Sequence, residues 1–221
     1  MKVAVIADIH SNLPALEAVL RDIGDVEICC LGDLVGYYPF PDEVVEEIRD
    51  RGIRCVMGNH DHAVVTGDVR GFNPYAARAV LWTRKRMRGK NVAYLASLPL
   101  SYRNSFYMVH GSPRRCLEEY VTMDYPDEVL ESFFLLAERS ILALAHTHVP
   151  YVRRLGSRLL FNPGSVGQPR DHDPRAGYAI IDVEKKHVEI RRVRYDVEAV
   201  VEAVTREGLP GVLGYRLRDG W

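Results

Sequence analysis

Short apolar runs rich in β-branched residues alternate along most of the chain with segments whose apolar positions recur every three or four residues. The runs at 3–7, 26–31, 53–57, 106–109 and 141–145 have the length and residue types of buried strands. Between the first two, Asn12 stands where a helix N-cap would, Pro14 falls in the first turn, and Leu16, Val19 and Leu20 share a helical face. Pro41-Asp42-Glu43 opens a second helix that runs to Asp50, where Arg51-Gly52 stops it. The order β-α-β-α-β predicts an α/β sheet with right-handed crossovers.

Asn73-Pro74 starts a further helix ending near Met87, and 126–140 forms another. The pattern then changes. Segments 151–155, 158–161, 178–183 and 188–193 alternate in polarity between Gly and Lys-Lys turns, which predicts antiparallel strands, and 196–206 and 213–218 read as helices. With no linker-like stretch and no internal repeat, residues 1–221 are expected to form one domain containing two sheets.

Composition narrows the functional classes. At 47% hydrophobic and 27% charged residues, the chain is neither a disordered nor a fibrous protein. The net charge is −1, so no bulk basic field gathers nucleic acid, and stable nucleic-acid binding is not expected; an anionic substrate must be drawn by a local site. The basic run at 83–90 reads as a solvated helix end. No apolar run reaches the roughly 18–20 residues of a membrane span, and the first one meets Asp8 too early for a signal peptide. A cytoplasmic protein is the expectation, with self-association into a homo-oligomer left open. The four Cys, with no CxxC spacing, read as reduced and mostly buried thiols, Cys29 and Cys30 facing opposite sides of one strand.

The chemistry lies at the strand ends. After the five apolar runs come Asp8-Ile9-His10, Gly32-Asp33, Gly58-Asn59-His60-Asp61, His110-Gly111 and His146-Thr147-His148. Each alone is a common turn or cap sequence, but in an α/β sheet ligand sites form beyond the carboxyl ends of strands, where these five clusters converge. Eight candidate ligands exceed the four of a closed zinc site, and imidazole, carboxylate and amide without thiolate suit two divalent ions, Mn²⁺ first, with Fe²⁺, Zn²⁺, Ni²⁺, Co²⁺ or Mg²⁺ as alternatives. Two ions about 3.5–4 Å apart need a bridging carboxylate, for which Asp33 is best placed. Two ions and two carboxylates leave a net positive charge, which suits a phosphoester.

With Asp8-Ile-His-Ser-Asn12, Gly32-Asp-Leu-Val-Gly-Tyr37, His110-Gly-Ser-Pro113 and the segment from Asn162-Pro-Gly-Ser to Arg170, these blocks resemble the calcineurin-like metallophosphoesterase superfamily, in its small bacterial and archaeal phosphodiesterase branch. The resemblance implies a four-layer sandwich of two mainly mixed β-sheets flanked by helices. It implies one metal held by Asp8, His10, Asp33 and His148, a second held by Asp33, Asn59, His110 and His146, and attack on a phosphodiester by the hydroxide bridging them. His60 is left to stabilise the transition state or protonate the leaving oxygen, and Asp61 to orient its neighbours. Asn12 and Arg170 are candidate contacts for a small phosphoester or nucleotide substrate, and Tyr37, Tyr38 and Phe40 a candidate aromatic wall. His62, His172 and His187 have no motif context and read as surface residues. A phosphomonoesterase, a dinucleoside polyphosphate hydrolase and a non-catalytic scaffold remain as alternatives. Ala145 stands where the family has glycine, and metal binding is expected to survive this; Ser11, where glycine and serine interchange, lies beside the site and is expected to alter its contacts only slightly.

Overall fold

The computed structural model describes residues 1–221. β1 (Lys2–Ile6), α1 (Leu13–Ile23), β2 (Glu27–Cys30), α2 (Pro41–Asp50) and β3 (Arg54–Cys55) follow the expected order. Three helices come next, α3 (Asn59–Thr66), α4 (Pro74–Arg86) and α5 (Gly89–Ser97). β4 (Ser101–Arg103), β5 (Tyr107–Val109), α6 (Asp127–Ala137), β6 (Ile141–Ala143), β7 (Tyr151–Leu155) and β8 (Arg158–Asn162) lead into β9 (Ala176–Asp182), β10 (His187–Val193), α7 (Val197–Arg206) and α8 (Gly211–Asp219).

The strands form two mixed five-stranded sheets, ordered β10-β9-β1-β2-β3 and β4-β5-β6-β8-β7. β1, β2 and β3 run parallel, as do β5, β6 and β8. The two C-terminal hairpins are divided between the sheets: β7 pairs antiparallel with β8, whereas β9 pairs antiparallel with β1 and β10 with β9.

The period-two pattern of the strands sorts their side chains into layers. Val3, Val5 and Ala7 point between the sheets, where they meet Leu31, Met108, Ala143 and Phe161; Ala4 and Ile6 point outward to Leu16 and Val19 of α1 and Val44 and Ile48 of α2. Cys29 and Cys30 split in the same way, and all four cysteines are free thiols. Leu142 and Leu160 on the far face of the second sheet pack on Leu130, Phe133 and Phe134 of α6. The result is the helix–sheet–sheet–helix stack expected, and no helix is long and apolar enough to cross a membrane.

Two helices escape the apolar pattern. α3 begins inside the Gly-Asn-His-Asp block and carries two adjacent valines. It is held by its ends: the Asp61 carboxylate accepts from Gly58 N at 3.0 Å, and Gly67, at φ +80°, closes the last turn. The basic run at 83–90 is the solvated end of α4, as expected, and it also forms the junction to α5, the second of these helices. Met87 leaves the helical conformation, Arg84 donates to the Val64 and Val65 carbonyls, and Arg88 and Lys90 pair with Glu46 of α2 at 2.8 and 2.9 Å.

Phe161, fully buried between the sheets, gives a test of this packing. Phe161→Ala is expected to lower the unfolding free energy by about 3–5 kcal/mol, the usual cost of such a cavity, as measured by urea denaturation.

Candidate metal centre

Parallel pairing sets the carboxyl ends of β1, β2 and β3 side by side, and the second sheet brings those of β5 and β6 to the same edge. The bond from His110 Nδ1 to Leu31 O, at 2.9 Å, ties the two sheets together there. Asp8 N donates to Gly32 O, His10 N to Asp33 O and Ala145 N to His110 O, so adjoining blocks hold one another by backbone bonds.

A carbonyl oxygen can only accept, and this fixes the imidazole tautomers. His10 Nδ1 faces Val35 O at 3.2 Å, His110 Nδ1 faces Leu31 O, and His148 Nδ1 faces Gln168 O at 2.5 Å. In the neutral rings the proton therefore sits on Nδ1 and the lone pair on Nε2. Yet His10 Nε2 and His148 Nε2 lie 3.1 Å apart, and His110 Nε2 lies 3.0 Å from His146 Nδ1 and 2.9 Å from Asn59 Oδ1. Asp33 Oδ2 stands between the groups, 3.6 Å from His10 Nε2 and 3.4 Å from His110 Nε2. Asp8 Oδ1 lies 3.7 Å from His148 Nε2 and 3.9 Å from His110 Nδ1. Both Asp8 oxygens and Asp33 Oδ2 are sealed from solvent without a hydrogen-bond donor.

Lone pairs confronting one another in a buried site repel unless a proton or a metal cation lies among them. The donor set fits one: two nitrogens about 3 Å apart are the spacing of adjacent ligands about 2.1 Å from one ion. The buried groups gather as Asp8, His10 and His148; His10, Asp33 and His60; and Asp33, His110 and His146.

The electrostatics of the protein alone agree. Burial, followed by the charge of Asp33, raises Asp8 well above the carboxylate range, and burial raises Asp33 to about 8. Burial lowers His110 to about 4 and, with the neighbouring His110, His146 to about 2; it also depresses His10, His60 and His148. These carboxylates resist ionising and these imidazoles resist protonation, a state that a cation reverses for the first and suits for the second.

The backbone is strained to hold this set. Asp8, His10, Ser11, Asp33, His146 and His148 all have φ between +52° and +69°, six of the nine non-glycine residues with positive φ. Each such conformation costs on the order of 1–3 kcal/mol, which the surrounding bonds must offset. Gly58 is required for another reason: a Cβ there would stand 2.1 Å from Asp33 Oδ1.

The remaining candidates fall into place around the cluster. His60 N donates to Asp33 Oδ1 at 2.8 Å, while its buried Nδ1 has no partner and lies against Gly36, leaving Nε2 as the ring nitrogen free to act. Asp61 touches no reacting position: its oxygens accept from Gly58 N and, at 3.1 Å, from Val35 N, so it splices two motif loops. Burial, then the charge of Asp33, raises it to about 7. Asn12 is the N-cap of α1, accepting from Ala15 N and donating to Gly167 O and the Tyr195 hydroxyl; fully buried, its side chain has nothing left to offer a substrate. Arg170 donates to Gln168 Oε1 at 2.9 Å and the Tyr37 hydroxyl at 3.2 Å and has no carboxylate partner. Ala145 tolerates its place because the left-handed turn falls on His146. His62, His172 and His187 are exposed.

A cleft of about 450 Å³ opens beside the cluster, bordered by His60, His146, Tyr37, Phe72 and Tyr120 among others. Of the expected aromatic wall only Tyr37 contributes. Tyr38 is fully buried beneath Gln168, and Phe40 does not reach the cleft. Phe72 and Tyr120 were not legible as site residues, since each is a single aromatic in a loop. Tyr120 stacks on His146, with centroids 3.8 Å apart. Its neighbour Glu119 fastens this loop, accepting from Arg114, Ser112 and, at 2.6 Å, the Tyr125 hydroxyl.

Two packed mixed sheets with His, Asp and Asn donors gathered at one edge define a metallophosphoesterase-type architecture. Residues 1–186 match the calcineurin-like phosphoesterase superfamily domain, and the chain belongs to that superfamily. It is 39% identical over 240 residues to an uncharacterized protein of Methanocaldococcus jannaschii, spanning 97% of this chain and 96% of that one. It is 26% identical over 197 residues to the phosphodiesterase YfcE of Escherichia coli, spanning 82% and 88% of the two chains. The crystal structure of a metallophosphoesterase from Sphaerobacter thermophilus superimposes with a TM-score of 0.87 at 37% identity, covering 100% of this chain and 99% of that one.

Burial opposes ionisation of Glu119, but its bonds from Arg114, Ser112 and Tyr125 outweigh this and bring it down to about 2. A depressed carboxylate contributes stability that is present above its ordinary range and is lost as pH falls through the folded value. Glu119→Gln is therefore expected to lower Tm by roughly 3–10 °C at pH 7, and the gap to narrow as the pH falls from 4.5 towards 2. Thermal scans of both proteins across that range check this; an equal gap at pH 3 and pH 7 contradicts it.

Proposed function

We propose that this phosphoesterase hydrolyses phosphodiester bonds at a centre of two divalent cations, Mn²⁺ foremost. Asp8, His10, Asp33 and His148 would hold one, and Asp33, Asn59, His110 and His146 the other, with Asp33 common to both. The observation that carries this reading is the convergence of buried His nitrogens on Asp33 Oδ2, together with both Asp8 oxygens and Asp33 Oδ2 lacking any hydrogen-bond partner. When bound, the cations supply Lewis acidity, neutralising charge on the phosphoryl oxygens and acidifying a water. The diester preference draws support from the likeness to YfcE, named a phosphodiesterase.

The chain's own residues divide the remaining work. Arg170, held by Gln168 and Tyr37 and unpaired with any carboxylate, is oriented to bind a phosphate oxygen. His60 borders the cleft with Nε2 available. Burial and the nearby Arg170 keep its ring neutral before substrate arrives, and in that form Nε2–H donates a hydrogen bond to the oxygen on which charge develops; delivery of a proton to a poor leaving group requires the imidazolium, which the negative charge of a bound phosphoester favours. Asp61 acts by position, keeping the loops after β2 and β3 in register.

Metal analysis of protein purified without chelator is expected to give about two divalent ions per chain. With added Mn²⁺, bis(4-nitrophenyl) phosphate should be cleaved faster than 4-nitrophenyl phosphate or diadenosine tetraphosphate. A single ion, or a preference for either of the other substrates, would overturn the respective part of the reading. His60→Ala should retain both ions and lose roughly 10²- to 10⁴-fold in turnover, with no rescue by excess Mn²⁺ and a smaller loss on nitrophenyl esters, whose leaving group needs no proton. Depleted metal in that variant would instead make His60 a ligand.

A further inference from the structure

Three aromatic rings border the cleft, and they are not equivalent. Tyr37 is buried, with His10 and His60 within 4.7 Å of its centroid and its hydroxyl taken by Arg170. Phe72 meets His60 edge to face at 4.8 Å, and its backbone is fixed between a bond to Val69 O and the Asn73 cap of α4. Tyr120 lies nearly parallel to His146 at 3.8 Å, so one face is covered, yet the residue is 54% exposed. The Glu119 cluster next to it holds that exposed ring in place.

We propose that Phe72 and Tyr120 select esters carrying an aromatic group, a nucleobase or aryl ring, which stacks on Tyr120 and packs against Phe72 while the phosphorus lies at the metal centre. This rests on the phosphoesterase reading above and names the substrate class of that site. The cleft, at about 450 Å³, is the size of a mononucleotide-scale pocket. Its aliphatic lining is confined to Ala63, Ala76 and Leu117, too little for a lipid chain, whereas the aromatic faces suit a flat π-system. Phe72 is the cleft ring nearest His60 apart from the buried Tyr37, which puts the aromatic group on the leaving side of the phosphorus.

Adenosine 5′-phosphate and ribose 5-phosphate carry the same phosphate and sugar and differ in the base. Calorimetry on the Mn²⁺-loaded protein is expected to show the first binding about tenfold more tightly or better, with the gap closing in Tyr120→Ala and Phe72→Leu and persisting in Tyr120→Phe. In kinetics, the two disrupting variants should lose about tenfold in kcat/KM for bis(4-nitrophenyl) phosphate relative to glycerophosphoethanolamine, through KM. Equal binding of the two phosphates by the wild-type protein, or equal losses on the two esters, overturns the proposal. If neither ester is hydrolysed, the phosphoesterase reading fails, and the calorimetric comparison still decides whether the rings select an aromatic ligand.

Discussion

Everything at the active edge of this protein answers to one electrostatic constraint: a set of oxygen and nitrogen lone pairs is held at close range almost entirely out of solvent, at the floor of a cleft. Left to themselves, Asp8, Asp33 and the imidazoles of His10, His110, His146 and His148 would turn away from one another or neutralise. Four of them, His10, Asp33, His110 and His148, do not turn because their other end is tied. Three of the rings are pinned through Nδ1 to backbone carbonyls, Asp33 Oδ1 is pinned by His60 N, and the strand ends carrying them are locked into parallel pairing. The left-handed backbone at five of these positions, and at the adjoining Ser11, is the local cost of the arrangement, and the buried β-core behind it supplies the stability that sustains it.

The second ring of residues serves the same constraint. Asp61 accepts two hydrogen bonds from backbone N–H groups and makes no contact with the reacting positions, and Gly58 and Gly36 leave room where any side chain would collide with Asp33 or His60. Glu119 fastens the loop that sets Tyr120 against His146. These residues shape where the donors point, and the exposed rim of the cleft is left to meet the rest of the substrate.

All strands but β4, most helices and the gathering of Asp, His and Asn at one edge were legible because each rests on a local signal: β-branched runs, Pro and Asn at helix starts, and short polar blocks after the strands. α3 was not, since its helix depends on the Asp61 and Gly67 caps more than on periodicity. Asn12 read equally as a cap and as a substrate contact, and only the buried bonds to Gly167 and Tyr195, far along the chain, show the first to consume its side chain. The contributions of Phe72 and Tyr120 were invisible for a related reason. A lone aromatic in a loop acquires meaning from the cleft it faces, and that cleft is assembled from segments with no pattern in common.

The donors come from both sheets: Asp8, His10, Asp33 and Asn59 follow strands of the first, and His110, His146 and His148 follow strands of the second. A cation held between His10 and His148 would join residues 138 positions apart, closing a loop as long as many whole domains. It would therefore act as a removable cross-link across the sandwich, in the manner of a disulfide that a chelator can undo. Since apolar packing between the sheets is non-directional, such a link would also fix their sliding register, so that loss of metal loosens the relation of one half of the molecule to the other as well as silencing its chemistry.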